Sequence, residues 1–154
     1  IMTFDNLLLD RDGPVATITI NRPSALNALN TPTTDDLLRA IEALGADVSV
    51  RVVIITGAGE KSFVAGADIE AMSKMGLEEA RRFSALGHET FDALEALPSV
   101  VVAVVQGATD DGTVFARCAC RSEVATASRV ISSQVAAASG AIQASGQSEL
   151  FDTW

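Results

Sequence analysis

Histidine and cysteine, the side chains most often used as metal ligands or as paired nucleophile and base, are nearly missing: the chain has His88, Cys118 and Cys120 and no others. The two cysteines are separated by one residue, too close for an unstrained disulfide, and they supply only two thiols toward a metal site. They read as buried or idle thiols. A Ser-His-Asp arrangement would rest on His88 alone, and helical spacing sets that residue beside Ser84, Asp92 and Glu95 on a polar side of its helix. It reads as a solvated surface histidine. Positive charge is also short, with 11 Lys and Arg against 20 Asp and Glu and a net charge of -9. That balance argues against a general affinity for nucleic acid or an anionic membrane. No segment approaches the roughly 18 uninterrupted apolar residues of a membrane span, and the start lacks the basic-then-apolar pattern of a signal peptide. A cytoplasmic location is the expectation. Ile1 ahead of Met2 suggests a start at Met2.

What remains is enough for one packed domain, since 154 residues can bury one core. Residues 4–9 and 15–21 read as two strands of a hairpin, joined by Asp10-Arg11-Asp12-Gly13-Pro14, whose composition is turn chemistry. Residues 21–30 contain Pro23 and no clear period, so a loop is expected. Thr31 is a candidate cap for a helix with Pro32 in its first turn, Asp35 and Asp36 near its positive end, and Leu37, Leu38, Ile41 and Leu44 as the buried stripe. Gly45 is expected to end it. Residues 52–56 form a β-branched run that reads as a buried strand, residues 69–75 a short helix, and residues 77–97 a long one stopped by Pro98. In that long helix Phe83, Gly87, Phe91 and Leu94 share one side. Residues 100–105 are continuously apolar and read as a second fully buried strand. The order β-β-α-β-α-β predicts a layered α/β domain. After Gly107 alanine and serine dominate and the periodicity fades, apart from a short run at 124–127. The expected division is therefore a core over 1–107 and a divergent continuation of the same domain over 108–154.

The most informative stretch is Gly57-Ala58-Gly59-Glu60-Lys61-Ser62-Phe63-Val64-Ala65-Gly66-Ala67-Asp68-Ile69, directly after the strand at 52–56. Glycine-rich loops in that place let backbone N–H groups approach a ligand oxygen closely. A P-loop would need glycine where Glu60 and Ile55 stand, so that reading fails. A dinucleotide fingerprint would need a third glycine at Ser62 and is only a near-match. The pattern G-x-G-x-x-x-F-x-A-G-A-D-I does resemble the first ligand loop of the crotonase superfamily, the enoyl-CoA hydratases and isomerases. Asn21-Arg22-Pro23-Ser24-Ala25-Leu26-Asn27-Ala28-Leu29 is similar to that family's N-R-P-x-x-x-N-A followed by leucine or methionine, in the right order before it. The resemblance covers residues 4 to about 107.

The resemblance implies a crotonase-like α/β spiral of ββα units, with the C-terminal helical portion that helps build trimers or hexamers largely missing. It implies hydration of a 2-enoyl-CoA thioester of the fatty-acid β-oxidation type, with no cofactor beyond the coenzyme A carried by the substrate. Two backbone N–H groups would form an oxyanion hole for the thioester enolate. By resemblance the first belongs to Ala67, with Ala65, Gly66, Asp68 and Ile69 around the thioester and pantetheine. Ser24, Ala25 and Leu26 match a coenzyme A-contacting segment that often carries lysine at the position of Ser24; Arg22 stands nearby.

The second half departs from the family pattern. Aligned without a gap, Gly112 takes the second donor position, flanked by Asp111 and Thr113, and Phe115 takes that of a catalytic glutamate. Deleting one residue near Ala108 instead makes Asp111 the donor and Val114 the glutamate's replacement. The ungapped version is preferred. The second glutamate falls at Val135, or at Gln134 with the deletion. Neither family acid is present, and Asp110 and Asp111 read as solvated loop aspartates rather than relocated ones. The expectation is thus a hydratase-family chain of low activity. The alternative is a non-catalytic CoA-ester-binding or interaction protein, with a dinucleotide-binding oxidoreductase a distant third.

Overall fold

The computed structural model describes residues 3–108 and 114–120. Its centre is a five-stranded sheet in the order β1 (Leu7–Asp12), β2 (Val15–Ile20), β3 (Val52–Gly57), β4 (Val100–Ala108) and β5 (Val114–Cys120). The pairings β1–β2 and β4–β5 are antiparallel, and β2–β3 and β3–β4 are parallel. Alternation along β2 and β3 sends every second side chain to one face, and the register aligns those positions into rows. Ala16, Val53 and Val101 form one row, and Ile18, Ile55 and Ala103 the next. All six are buried.

Two helices, α1 (Thr31–Ala46) and α3 (Leu77–Ala96), complete the core, α1 through Leu37, Ala40, Ile41 and Leu44 and α3 through Leu94. The predicted α/β layering is present. The expectation that residues 52–56 and 100–105 are buried on both faces is not met. Val52, Ile54, Val102 and Val104 are only half-buried and Val100 is exposed, while their alternating neighbours carry the core. A continuous apolar run records suitability for a sheet, not the number of layers stacked on it.

Several boundaries differ for identifiable reasons. The hairpin strand starts and ends three residues later than predicted, at Leu7–Asp12, because the turn is made by Gly13-Pro14 alone. The cap of α1 is Asn30, not Thr31. Its Oδ1 accepts from the Thr33 N–H at 3.1 Å and the Thr33 hydroxyl at 2.6 Å. Replacing Asn30 by alanine should therefore lower stability by about 1 kcal/mol, read from the urea midpoint. Gly45 does not end the helix, which runs through it to Ala46. A Cβ there would stand 3.1 Å from Leu97 Cδ2, so this glycine serves the close approach of α1 to the end of α3. The short helix α2 covers only Ile69–Met72. On α3, Phe83 and Leu94 are buried as expected, Gly87 and Phe91 half-buried, and His88 is exposed with Nδ1 2.9 Å from Ser84 O. The strand β5 was not foreseen; it returns along β4 with Phe115 opposite Gly107. The apolar run at 124–127 lies outside the described residues.

Candidate functional site

The carboxyl ends of parallel strands, where ligands bind in open α/β sheets, bring three segments together. These are the loop 21–30 after β2, the glycine loop 58–68 after β3, and the end of β4. Asn27 joins the first two. It is 1% exposed, and its Nδ2 donates to Ala58 O at 2.9 Å and Ser62 O at 2.8 Å, while its Oδ1 accepts from the Arg22 N–H at 2.9 Å. Every strong hydrogen-bonding direction but one is thereby used. Gln106 joins the second to the third: its Nε2 donates to the carbonyl oxygens of Gly57 and Gly59, and Ser62 bridges to Gly107. The Thr56 hydroxyl lies 2.9 Å from Gln106 Oε1 and 3.1 Å from Val104 O, donating to one at a time.

The backbone at Ala67 is held from one side. The Leu29 N–H donates to Gly66 O and the Asp68 N–H to Leu29 O, both at 2.8 Å, forming a parallel bridge between Leu29 and Ala67. In such a bridge the central residue's own N–H and C=O face away from the partner strand. Gly66, at φ 111, makes the turn that allows this, in a region essentially restricted to glycine. Among the described residues nothing accepts from the Ala67 N–H. It is a donor oriented by the fold, on a half-buried residue. Because Gly66 O, in the same peptide plane, already accepts a bond, the Ala67 N–H is also polarised.

Arg22 and Asp68 lie just behind this bridge. Arg22 Nη1 donates to Ala28 O and Nη2 to Asp68 Oδ2 at 3.0 Å, and Asp68 Oδ1 accepts from the Ala71 N–H at 3.0 Å, capping α2. Asp68 is held below the usual carboxylate range, chiefly by the hydrogen bond from the Ala71 N–H; burial opposes this, and the hydrogen bond and charge of Arg22 add to the lowering. A depressed folded-state value means that the stabilisation is present above the unfolded value and lost as pH falls through the folded one. The stability difference between the parent and Asp68→Asn should therefore shrink below about pH 4, measured as urea midpoints across pH.

The sequence-predicted residues converge in part. Pro23–Ala25 is a 3-10 turn with Ser24 exposed, and Leu26, 46% exposed, accepts from the Ala65 N–H at 3.1 Å through its carbonyl. Ser24, Ala25, Leu26, Ala65, Gly66 and Ala67 thus form one continuous rim, with Ile69, 57% exposed, at its far end. Asp68 turns its carboxylate onto Arg22 and α2. Arg22 is not placed to offer charge to a phosphate, because its guanidinium is used by Ala28 and Asp68. Phe115 lies on β5, and Gly112 and Val135 fall outside the described residues. Asp110, Asp111 and Gln134 fall there too. Sequence reasoning missed Asn27 and Gln106 as the joints of the site; a polar side chain inside an apolar stretch was the available signal.

The chain has relatives over much of its length. The family profile described as enoyl-CoA hydratase/isomerase matches residues 10–150, extending beyond Gly107 into the part where the motifs fade. The short-chain-enoyl-CoA hydratase of Clostridium acetobutylicum is 49% identical over 106 residues, covering 69% of this chain and 41% of that protein. The crotonyl-CoA hydratase of Syntrophomonas wolfei is 43% identical over 118 residues, covering 76% and 45% respectively. A crystal structure of an enoyl-CoA hydratase/carnithine racemase from Magnetospirillum magneticum superposes with a TM-score of 0.63 at 39% identity, covering 67% of this chain and 39% of that one. The matches span less than half the length of these relatives. With matching folds on both sides of the comparison, and a profile that takes in most of its residues, this chain belongs to the enoyl-CoA hydratase/isomerase family.

Proposed function

We propose that this chain carries the thioester-binding half of a 2-enoyl-CoA hydratase site, in which the Ala67 N–H is one of two donors to the thioester oxygen. The observation that carries the proposal is the Ala67 N–H, unengaged among the described residues and aimed away from Leu29 by the bridge that fixes its peptide plane. A donor held this way requires no reorganisation when negative charge develops on the oxygen, and one such donor is worth about 3 kcal/mol of barrier. Ser24, Ala25, Leu26, Ala65 and Ile69 line the path of the pantetheine and acyl chain. Gly112 supplies the second N–H. Within this reading coenzyme A belongs to the substrate and no other cofactor takes part; the protein is a cytoplasmic trimer or hexamer acting in fatty-acid oxidation.

Water addition also needs carboxylates to hold the water and move its proton, and Phe115 and Val135 stand at those positions. Neither titrates. This chain is proposed to bind and polarise the thioester while hydrating it slowly. Its turnover of crotonyl-CoA, followed by loss of the conjugated thioester absorbance, should lie about 100- to 10,000-fold below that of a hydratase carrying both acids. Calorimetric titration with crotonyl-CoA should still show binding. Binding without measurable turnover would favour the second reading, a CoA-ester-binding protein without chemistry. An absence of binding to any CoA ester would overturn both.

A further inference from the structure

The Arg22–Asp68 pair has no place in the reaction just described, yet it sits one residue from the proposed donor on both chains of the bridge. Leu29 holds Ala67, and Arg22 grips the two residues next to that contact: Ala28, through its carbonyl oxygen, and Asp68, through its carboxylate. The guanidinium is a rigid planar fork, so its two bonds fix the spacing between segment 28–29 and segment 67–68. Asp68 extends the brace through its second oxygen to the start of α2. The Arg22 and Asp68 side chains are 18% and 15% exposed, so solvent screens the pair less than it screens a surface ion pair. The other ion pairs among the described residues, Arg11–Asp47, Arg39–Asp36, Lys74–Glu70 and Arg81–Glu78, each have at least one partner more than a third exposed, and none of them includes a residue of the bridge or one next to it.

We infer that Arg22 and Asp68 are positioning residues that set the aim of the Ala67 N–H by locking the spacing of the Leu29–Ala67 bridge. The assignment of Ala67 as an oxyanion donor rests on the proposed function; the mechanical coupling does not. Lysine at position 22 keeps the charge but cannot make two bonds at fixed separation. Asparagine at position 68 keeps an acceptor for the Ala71 N–H but loses the ionic bond to Arg22. Both variants should leave the core of β2 and β3 in place, because neither side chain belongs to it.

The test is the backbone 1H–15N spectrum of the full chain as parent, Arg22→Lys and Asp68→Asn. In both variants the Ala67 amide should shift and broaden while those of Ile18 and Val53 stay where they are. An Ala67 amide that is unmoved in both, or that moves only together with Ile18 and Val53, would overturn the inference. The second readout uses acetoacetyl-CoA, whose bound enolate has its own ultraviolet absorbance. The enolate fraction should fall about tenfold in each variant, a part of the effect of losing a donor outright, while the affinity for coenzyme A itself stays within about twofold. An enolate fraction that falls only in step with coenzyme A affinity would count against positioning. A parent that binds acetoacetyl-CoA with no enolate signal would count against Ala67 as a donor and leave the amide spectrum to decide the coupling.

Discussion

Gly57→Ala should lower the stability of the chain by about 3 kcal/mol or more and loosen the glycine loop with it. A Cβ built at Gly57 falls on the Phe63 carbonyl oxygen and stands 2.7 Å from both Asn27 Nδ2 and Ser62 O. Two of those three atoms are backbone, so no rotamer change relieves the overlap. The loop must move, and as it moves the hydrogen bond from Asn27 to Ser62 O and the bond from Gln106 to Gly57 O are pulled apart. Gly59→Ala is the control. There a Cβ would meet only Pro23 Cβ at 3.8 Å, and the burden is the positive φ of 78, which should amount to about 1 kcal/mol. Urea midpoints of the two variants distinguish the cases. Equal shifts would mean that the close approach at Gly57 relaxes without consequence.

That contrast shows what could be read from the residues and what could not. Both glycines belong to the motif that resembles the family, and a motif records them alike. Only the fold shows that one is required for space and the other for backbone angle. The strands at Val15–Ile20 and Val52–Gly57 were readable because alternation and β-branching are local properties. The strand at Val114–Cys120 was not, since antiparallel pairing with Val102–Ala108 depends on a partner and not on any period of its own. Asn30 was passed over as a cap because Thr31 next to Pro32 carries an equally good local signal. The rim from Ser24 to Ala67 came from resemblance, and the geometry adds the reason those two distant segments meet: Leu26 and Leu29 both bond to the glycine loop. The role of Arg22 was not legible at all: its fork is spent on Ala28 and Asp68, a long-range arrangement with no local sequence signal.

Asn27→Ala should be comparably severe, with a loss of about 3 kcal/mol, because it leaves two part-buried carbonyl oxygens and one N–H without their partner, at the low end of roughly 1 to 3 kcal/mol each. Asn27→Asp is the more informative change. The shape is kept and the Arg22 N–H can still donate to the new side chain, but Ala58 O and Ser62 O then face an acceptor instead of a donor. At a site that is 1% exposed, burial and the two carbonyl dipoles both disfavour the carboxylate, so the folded-state pKa of the introduced acid should rise above its unfolded value. The neutral acid can donate to one of the two carbonyls. The destabilisation should therefore be largest near neutral pH and shrink as pH falls through the raised folded value, the reverse of the dependence expected from Asp68. The measurement is the urea midpoint of Asn27→Asp minus that of the parent across pH. A difference that stays flat would mean that water or a shifted loop satisfies the carboxylate. The stitch between the two motifs would then be replaceable, and Asn27 would matter for its left-handed backbone, at φ 58, more than for its amide.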